Sequence, residues 1–81
     1  MNKIYQVLFF THTGAIKFNR QMKKLDIYCE LMPVPRTLSS NCGVSARVHF
    51  SNQLETIIDE QIEKIYLNDN GHYQLLYESI Q

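Results

Sequence analysis

The chain has 81 residues, 44% of them hydrophobic, and its eight basic residues balance eight acidic ones. This length fits one small domain, residues 1–81, and the hydrophobic fraction excludes a disordered chain. A net charge near zero argues against broad nonspecific binding to nucleic acid or to an anionic membrane, because both need a large positive field.

The first third of the chain predicts a strand followed by a helix. Residues 3–10, KIYQVLFF, are apolar on both faces, which is typical of a central strand. Thr13 is the expected N-cap, since its hydroxyl can accept a first-turn N–H. A stripe at helical spacing then runs to a helix end near Asp26, and it comprises Ala15, Phe18, Met22 and Leu25.

Two strands of alternating polarity follow, and they predict an antiparallel hairpin. Residues 27–35 contain Pro33 and Pro35, which favour an edge position. Residues 44–50 form the second strand, whose inward residues are Val44, Ala46, Val48 and Phe50. In the register that places Cys29 opposite Val48, Glu30 faces Arg47 as a favourable charge pair. A slip of one residue would place polar side chains on the apolar face.

The last third predicts a second helix and a terminal hairpin. Ser51 or Asn52 caps the helix, and its expected buried stripe is Leu54, Ile57, Ile58 and Ile62. The tail reads as two strands around a turn at NDNG, residues 68–71. We therefore expect an α+β sandwich of ferredoxin-like topology, with two helices on one face of a mixed or antiparallel sheet and an extra terminal strand.

The two cysteines require separate explanations. Cys29 shares an apolar strand face and reads as a small buried hydrophobe. In the predicted hairpin the two cysteines are on the order of 20 Å apart, and a disulfide needs Cα atoms within about 7 Å. No CxxC or His/Cys spacing indicates a zinc site, so we expect no metal and no bound cofactor.

Cys42 lies in a loop of small polar residues, SSNCG, which predicts an accessible sulfur. The backbone N–H groups of residues 40–43, including that of Ser40, could form an anion-binding nest. Arg36 could lower the pKa of the thiol, and Gly43 would allow a positive φ and close approach of another molecule. The competing interpretation is a simple turn in which Cys42 has no chemical role.

No base is evidently positioned next to this thiol. His12 follows the first strand, and a neighbouring loop could bring it near Cys42; His49 and His72 read as strand and turn residues. Nucleophilic enzymes usually have a base held by an orienting group. A thiol without an evident base and orienting group is more typical of a carrier or acceptor protein than of a self-sufficient enzyme.

The run from residue 5 to residue 50 resembles the small bacterial and archaeal family of selenium/sulfur carrier protein-like domains. The matching pieces are Thr11-His12-Thr13, Pro33, Pro35-Arg36, Ser39-Ser40 and Cys42-Gly43. Gly14 is a departure, because the family more often has an acidic residue there. The resemblance implies that Cys42 carries sulfur or selenium as a persulfide or selenosulfide, loaded by a donor such as a cysteine desulfurase and unloaded by an acceptor enzyme.

A second hypothesis is an interaction module without chemistry. The tyrosines of the tail, Tyr66, Tyr73 and Tyr77, are expected to be exposed, and its two strands could pair across the edge of a homo-oligomer. The longest apolar-rich run is far shorter than the about 20 residues of a membrane span. Since that run also lacks a signal-peptide cleavage site, we expect a cytoplasmic protein with protein partners, and neither nucleic acid nor membrane as a partner.

Overall fold

The structure, a computed structural model, describes residues 2–40 and 42–80 as five antiparallel strands and one α-helix. The strands lie side by side in the order β2-β3-β1-β4-β5, so β1 is central and β2 is an edge, as predicted. Their bounds are β1 Lys3–Phe9, β2 Cys29–Pro33, β3 Val44–Phe50, β4 Ile62–Asp69 and β5 His72–Glu78; the helix α1 is His12–Lys24.

The ferredoxin-like prediction is wrong, because the second helix does not form. Leu54–Thr56 is a single 3₁₀ turn, and Ile62, expected in the helix, begins β4. Both β3 and β4 are antiparallel to β1, so residues 51–61 must run the length of the sheet between them. An 11-residue helix would span only about 16 Å, less than the roughly 20 Å length of β1, and would leave no residues for turns.

Helix α1 begins two residues earlier than predicted. Thr11 is the N-cap rather than Thr13, and its Oγ1 accepts a hydrogen bond from the backbone N–H of Gly14 at 3.0 Å. A Cβ at Gly14 would lie 2.6 Å from Gln61 Oε1, so a larger residue there would displace the end of the Gln61 side chain. The predicted stripe is confirmed except at Leu25, which is the C-cap and exposed.

The main core lies between α1 and one face of the sheet. It is built from alternate residues of β1 and β3 packed against the apolar stripe of α1; these are Tyr5, Val7, Phe9, Ala46, Val48, Phe50, Ala15, Phe18 and Met22. Leu8, Gln6 and Ser45 are fully buried on the opposite face, where Ser45 was expected to be outward. Gln6 Nε2 donates a hydrogen bond to Ser45 Oγ at 2.8 Å, so the buried amide nitrogen of Gln6 has an acceptor.

The hairpin register is confirmed. Cys29 pairs with Val48 and Glu30 with Arg47 in the β2–β3 ladder. Glu30 also accepts a hydrogen bond from the Tyr28 hydroxyl at 3.2 Å. The alternating polarity of both strands therefore specified which residues face each other.

The terminal hairpin is confirmed as well. Asp69 pairs with His72, and the two turn residues Asn70 and Gly71 have positive φ values of 51° and 88°. The tyrosines of this region are half-buried rather than exposed: Tyr66 and Tyr73 contact each other edge to face, and Tyr77 packs against the core. Among the described residues, no helix is long and apolar enough to cross a membrane.

Candidate functional site

The sulfur of Cys42 is not presented to solvent, contrary to the sequence prediction. Cys42 lies between β2 and β3 and is only 4% exposed. It does not belong to the main core cluster that packs against α1. In the described part of the chain, no hydrogen bond reaches its Sγ. The burial of Cys42 is therefore separate from the packing of the main core cluster.

Ser40 attaches this loop to the sheet. Its hydroxyl lies 2.9 Å from Glu63 Oε1 and 3.2 Å from the backbone oxygen of Phe9, both of which are acceptors. The hydroxyl oxygen also accepts the backbone N–H of Cys42 at 3.2 Å. One side chain thus links the cysteine backbone, the end of β1 and the start of β4.

Glu63 occupies an irregular position in β4. Leu8 pairs with Lys64 and Phe9 with Ile62, so Glu63 is the extra residue of a β-bulge. A bulge redirects the side chain of the unpaired residue and often occurs beside functional sites. Sequence reasoning did not find Glu63, because nothing in its local pattern places it against a serine 23 residues away.

Within the described residues, one N–H of the predicted anion nest is already used in the loop. The N–H of Cys42 already donates to Ser40 Oγ, and Asn41 lies outside the described residues. Arg36 is exposed in a turn, and the hydrogen bonds of residues 2–40 and 42–80 include none from its guanidinium. Among these residues no hydrogen bond therefore links Arg36 to the sulfur of Cys42, and its effect on the thiol stays a prediction.

Gly43 is exposed and lines an apolar groove of about 380 Å³. Its φ is not positive, unlike that of Gly71, and apart from its two chain neighbours no described atom lies within 4 Å of a Cβ built on it. His12, the first residue of α1, lines the same groove as Gly43, and its approach to Cys42 stays a prediction. The other lining residues are Ile16, Leu31, Met32, Pro33 and Val44.

Cys29 has the structural role predicted for it. It lies in β2 with its side chain packed against the core cluster, and both cysteines are free thiols. Burial raises the pKa of the Cys29 thiol to about 11, although Lys23 acts in the opposite direction. A thiol that stays protonated at neutral pH is a poor nucleophile, because the thiolate is the reactive form.

Comparison with known proteins identifies a family. A family model described as "Putative Se/S carrier protein-like" matches residues 5–78. Comparison with curated proteins and with solved structures returned no match. The matched range includes the whole cysteine loop, four complete strands and all of β1 except its first two residues.

Proposed function

The chain belongs to the family of Se/S carrier protein-like domains, and on that premise we propose that it carries sulfur or selenium on the thiol of Cys42. The donor is a persulfide-forming enzyme such as a cysteine desulfurase, and the acceptor is a second enzyme that uses the chalcogen. The carrier needs no cofactor for this exchange. A reducing cytoplasm suits it, since thiols stay free there.

The chemistry is a thiol–persulfide exchange. After its proton is lost to solvent, the Cys42 thiolate attacks the outer sulfur of a donor persulfide, R–S–SH. The new S–S bond forms as that of the donor breaks, leaving Cys42–S–SH and R–S⁻, so there is no net oxidation. Attack on the outer sulfur by an acceptor thiolate R′–S⁻ gives R′–S–SH and restores the Cys42 thiolate. With R–S–SeH as donor, selenium takes the place of the outer sulfur.

The position of Cys42 beside Gly43 is the observation that supports this assignment. Cys29 is fixed within a strand and its pKa is raised to about 11, which argues against Cys29 as the carrier thiol. The neighbouring Gly43 is exposed, and the space beside it is open. A donor can therefore approach the backbone next to the sulfur without meeting a side chain.

Because Cys42 is only 4% exposed, the exchange requires a local opening around Ser40 and Cys42. Local openings in proteins cost far less than global unfolding where few buried contacts are broken. The loop attaches to the sheet through Ser40, so its opening leaves the β1–β3 ladder intact. The closed loop would then shield the persulfide from other thiols between loading and delivery.

Loading followed by mass spectrometry of the intact chain tests the proposal. The protein is incubated with a cysteine desulfurase and cysteine, and we expect a mass increase of one sulfur atom that a thiol reductant removes. Cys42→Ser should abolish the adduct, and the matched variant Cys29→Ala should keep it. An adduct mapped to Cys29, or no adduct on the wild-type chain with selenium or sulfur donors, would refute carriage by Cys42.

A further inference from the structure

The opening that exposes Cys42 must break specific contacts, and Ser40 makes them. Among residues 34–40 and 42–43, Ser40 is the position whose side chain hydrogen-bonds to β1 and β4. The backbone bond from Val34 N to Gly43 O at 3.2 Å closes the base of the loop. The bond from Leu38 N to Pro35 O lies within the loop and does not attach it to the sheet.

The Ser40–Glu63 bond is the stronger of the two attachments. The hydroxyl has one proton, and Glu63 Oε1 lies nearer to it than the Phe9 oxygen, at 2.9 Å against 3.2 Å. A hydrogen bond to a carboxylate is about twice as strong as a neutral one. The same hydroxyl accepts the N–H of Cys42, so the backbone of the cysteine is joined directly to the residue that Glu63 holds.

The bulge in β4 explains how a strand residue reaches this loop. In a regular β1–β4 ladder Glu63 would pair with a residue of β1, but the register shift leaves it unpaired. Its backbone oxygen accepts the N–H of Ser79 at 2.8 Å, which anchors the bulge from the other side. The position of the carboxylate is therefore set by two neighbouring strands rather than by the loop that it holds.

We infer that Glu63 is the latch of the cysteine loop: its carboxylate holds Ser40 and thereby controls how often Cys42 is exposed for exchange. This inference rests on the proposed function for its biological meaning. Release of the latch exposes the thiol, and its closure returns a loaded sulfur to the protected position. The latch itself is a property of the fold and can be measured without any sulfur donor.

The rate at which iodoacetamide alkylates Cys42 in the native chain measures the opening. Peptide mapping follows each cysteine separately, and the urea-denatured chain gives the unprotected rate. Ser40→Ala and Glu63→Ala should each raise the Cys42 rate at least about tenfold, which corresponds to about 1.4 kcal/mol for one hydrogen bond to a carboxylate. Glu63→Gln keeps an acceptor oxygen and should raise the rate less than Glu63→Ala.

Two controls distinguish a latch from a general loss of structure. Cys29 lies in β2 and should react at its wild-type rate in every latch variant. Glu60→Ala removes an exposed carboxylate outside the strands and should leave Cys42 unchanged. Should Glu63→Ala fail to fold, Ser40→Ala removes a single oxygen atom and provides the same test.

An unchanged Cys42 rate in both alanine variants would overturn the latch, and so would an equal acceleration of Cys29 and Cys42. Desulfurase loading separates this failure from a failure of the proposed function. If the latch variants alkylate faster but no variant accepts sulfur, carriage is wrong and the latch stands. If the wild-type chain loads Cys42 but the latch variants are alkylated at the wild-type rate, carriage stands and the latch is wrong.

Discussion

Gly43 provides a test in which stability and function should change in opposite directions. Its φ lies outside the left-handed region, and an added Cβ would meet no described atom within 4 Å. The fold therefore does not need a glycine at this position. Gly→Ala replacements at such sites stabilise by about 0.4–1 kcal/mol, because the unfolded chain loses conformational freedom. We expect Gly43→Ala to raise the free energy of unfolding by an amount in that range.

Gly71 is the matched control. A Cβ there also meets no described atom within 4 Å, but its φ is +88°. A left-handed conformation costs a residue with a side chain about 1–2 kcal/mol. Gly71→Ala should therefore lower the free energy of unfolding, although both substitutions add the same methyl group to open space.

The two substitutions should have the opposite order of effect on the rate of sulfur loading, which Gly43→Ala should lower and Gly71→Ala should not. The methyl group of Gly43→Ala stands next to Cys42, where a donor must approach closely, and misplacement of reacting groups by about 1 Å can cost up to a hundredfold in rate. We expect Gly43→Ala to load about tenfold more slowly and Gly71→Ala to load at the wild-type rate. Urea denaturation and the initial rate of adduct formation measure the two effects. If Gly43→Ala loads sulfur at the wild-type rate, Gly43 is not needed for the approach of the donor. If Gly43→Ala lowers the free energy of unfolding, the space beside Gly43 is not open.

Three further predictions concern stability. Ser45→Ala leaves the buried amide of Gln6 without its partner and should cost about 1–3 kcal/mol in urea denaturation; in a Gln6→Met background the same change should cost clearly less, and equal costs would contradict the coupling. Burial raises the pKa of Cys29 from 9.0 to about 11, so the folded chain holds a proton that the unfolded chain releases. The stabilisation is full below pH 9 and falls towards pH 11, so the wild type should lose about 1 kcal/mol relative to Cys29→Ala across that window, allowing for partial solvent screening; parallel pH profiles would contradict this. Thr11→Ala should destabilise by about 1 kcal/mol in thermal or urea unfolding, and Thr13→Ala should not, because the cap lies at Thr11.

Local patterns in the sequence were sufficient for most of the elements. The alternation of residues 27–35 and 44–50 specified the hairpin register, since side chains repeat every two residues along a strand. The apolar stripe predicted α1, and Asn70-Gly71 predicted the terminal turn. The second helix failed because residues 51–61 carry a helical stripe but must cross the sheet, and that distance is a property of the strand order.

The residue types around Cys42 were enough to place it in a loop of small polar residues next to a glycine, apart from the strand that holds Cys29. The burial of Cys42, and the hydrogen bond between Ser40 and Glu63 across 23 positions of the chain, follow from the packing of distant elements. The residue types in a segment indicate which side chains can be exposed to solvent. The exposure of a given atom depends on which distant strands meet there, and a one-residue bulge in β4 is enough to bring a carboxylate to the loop.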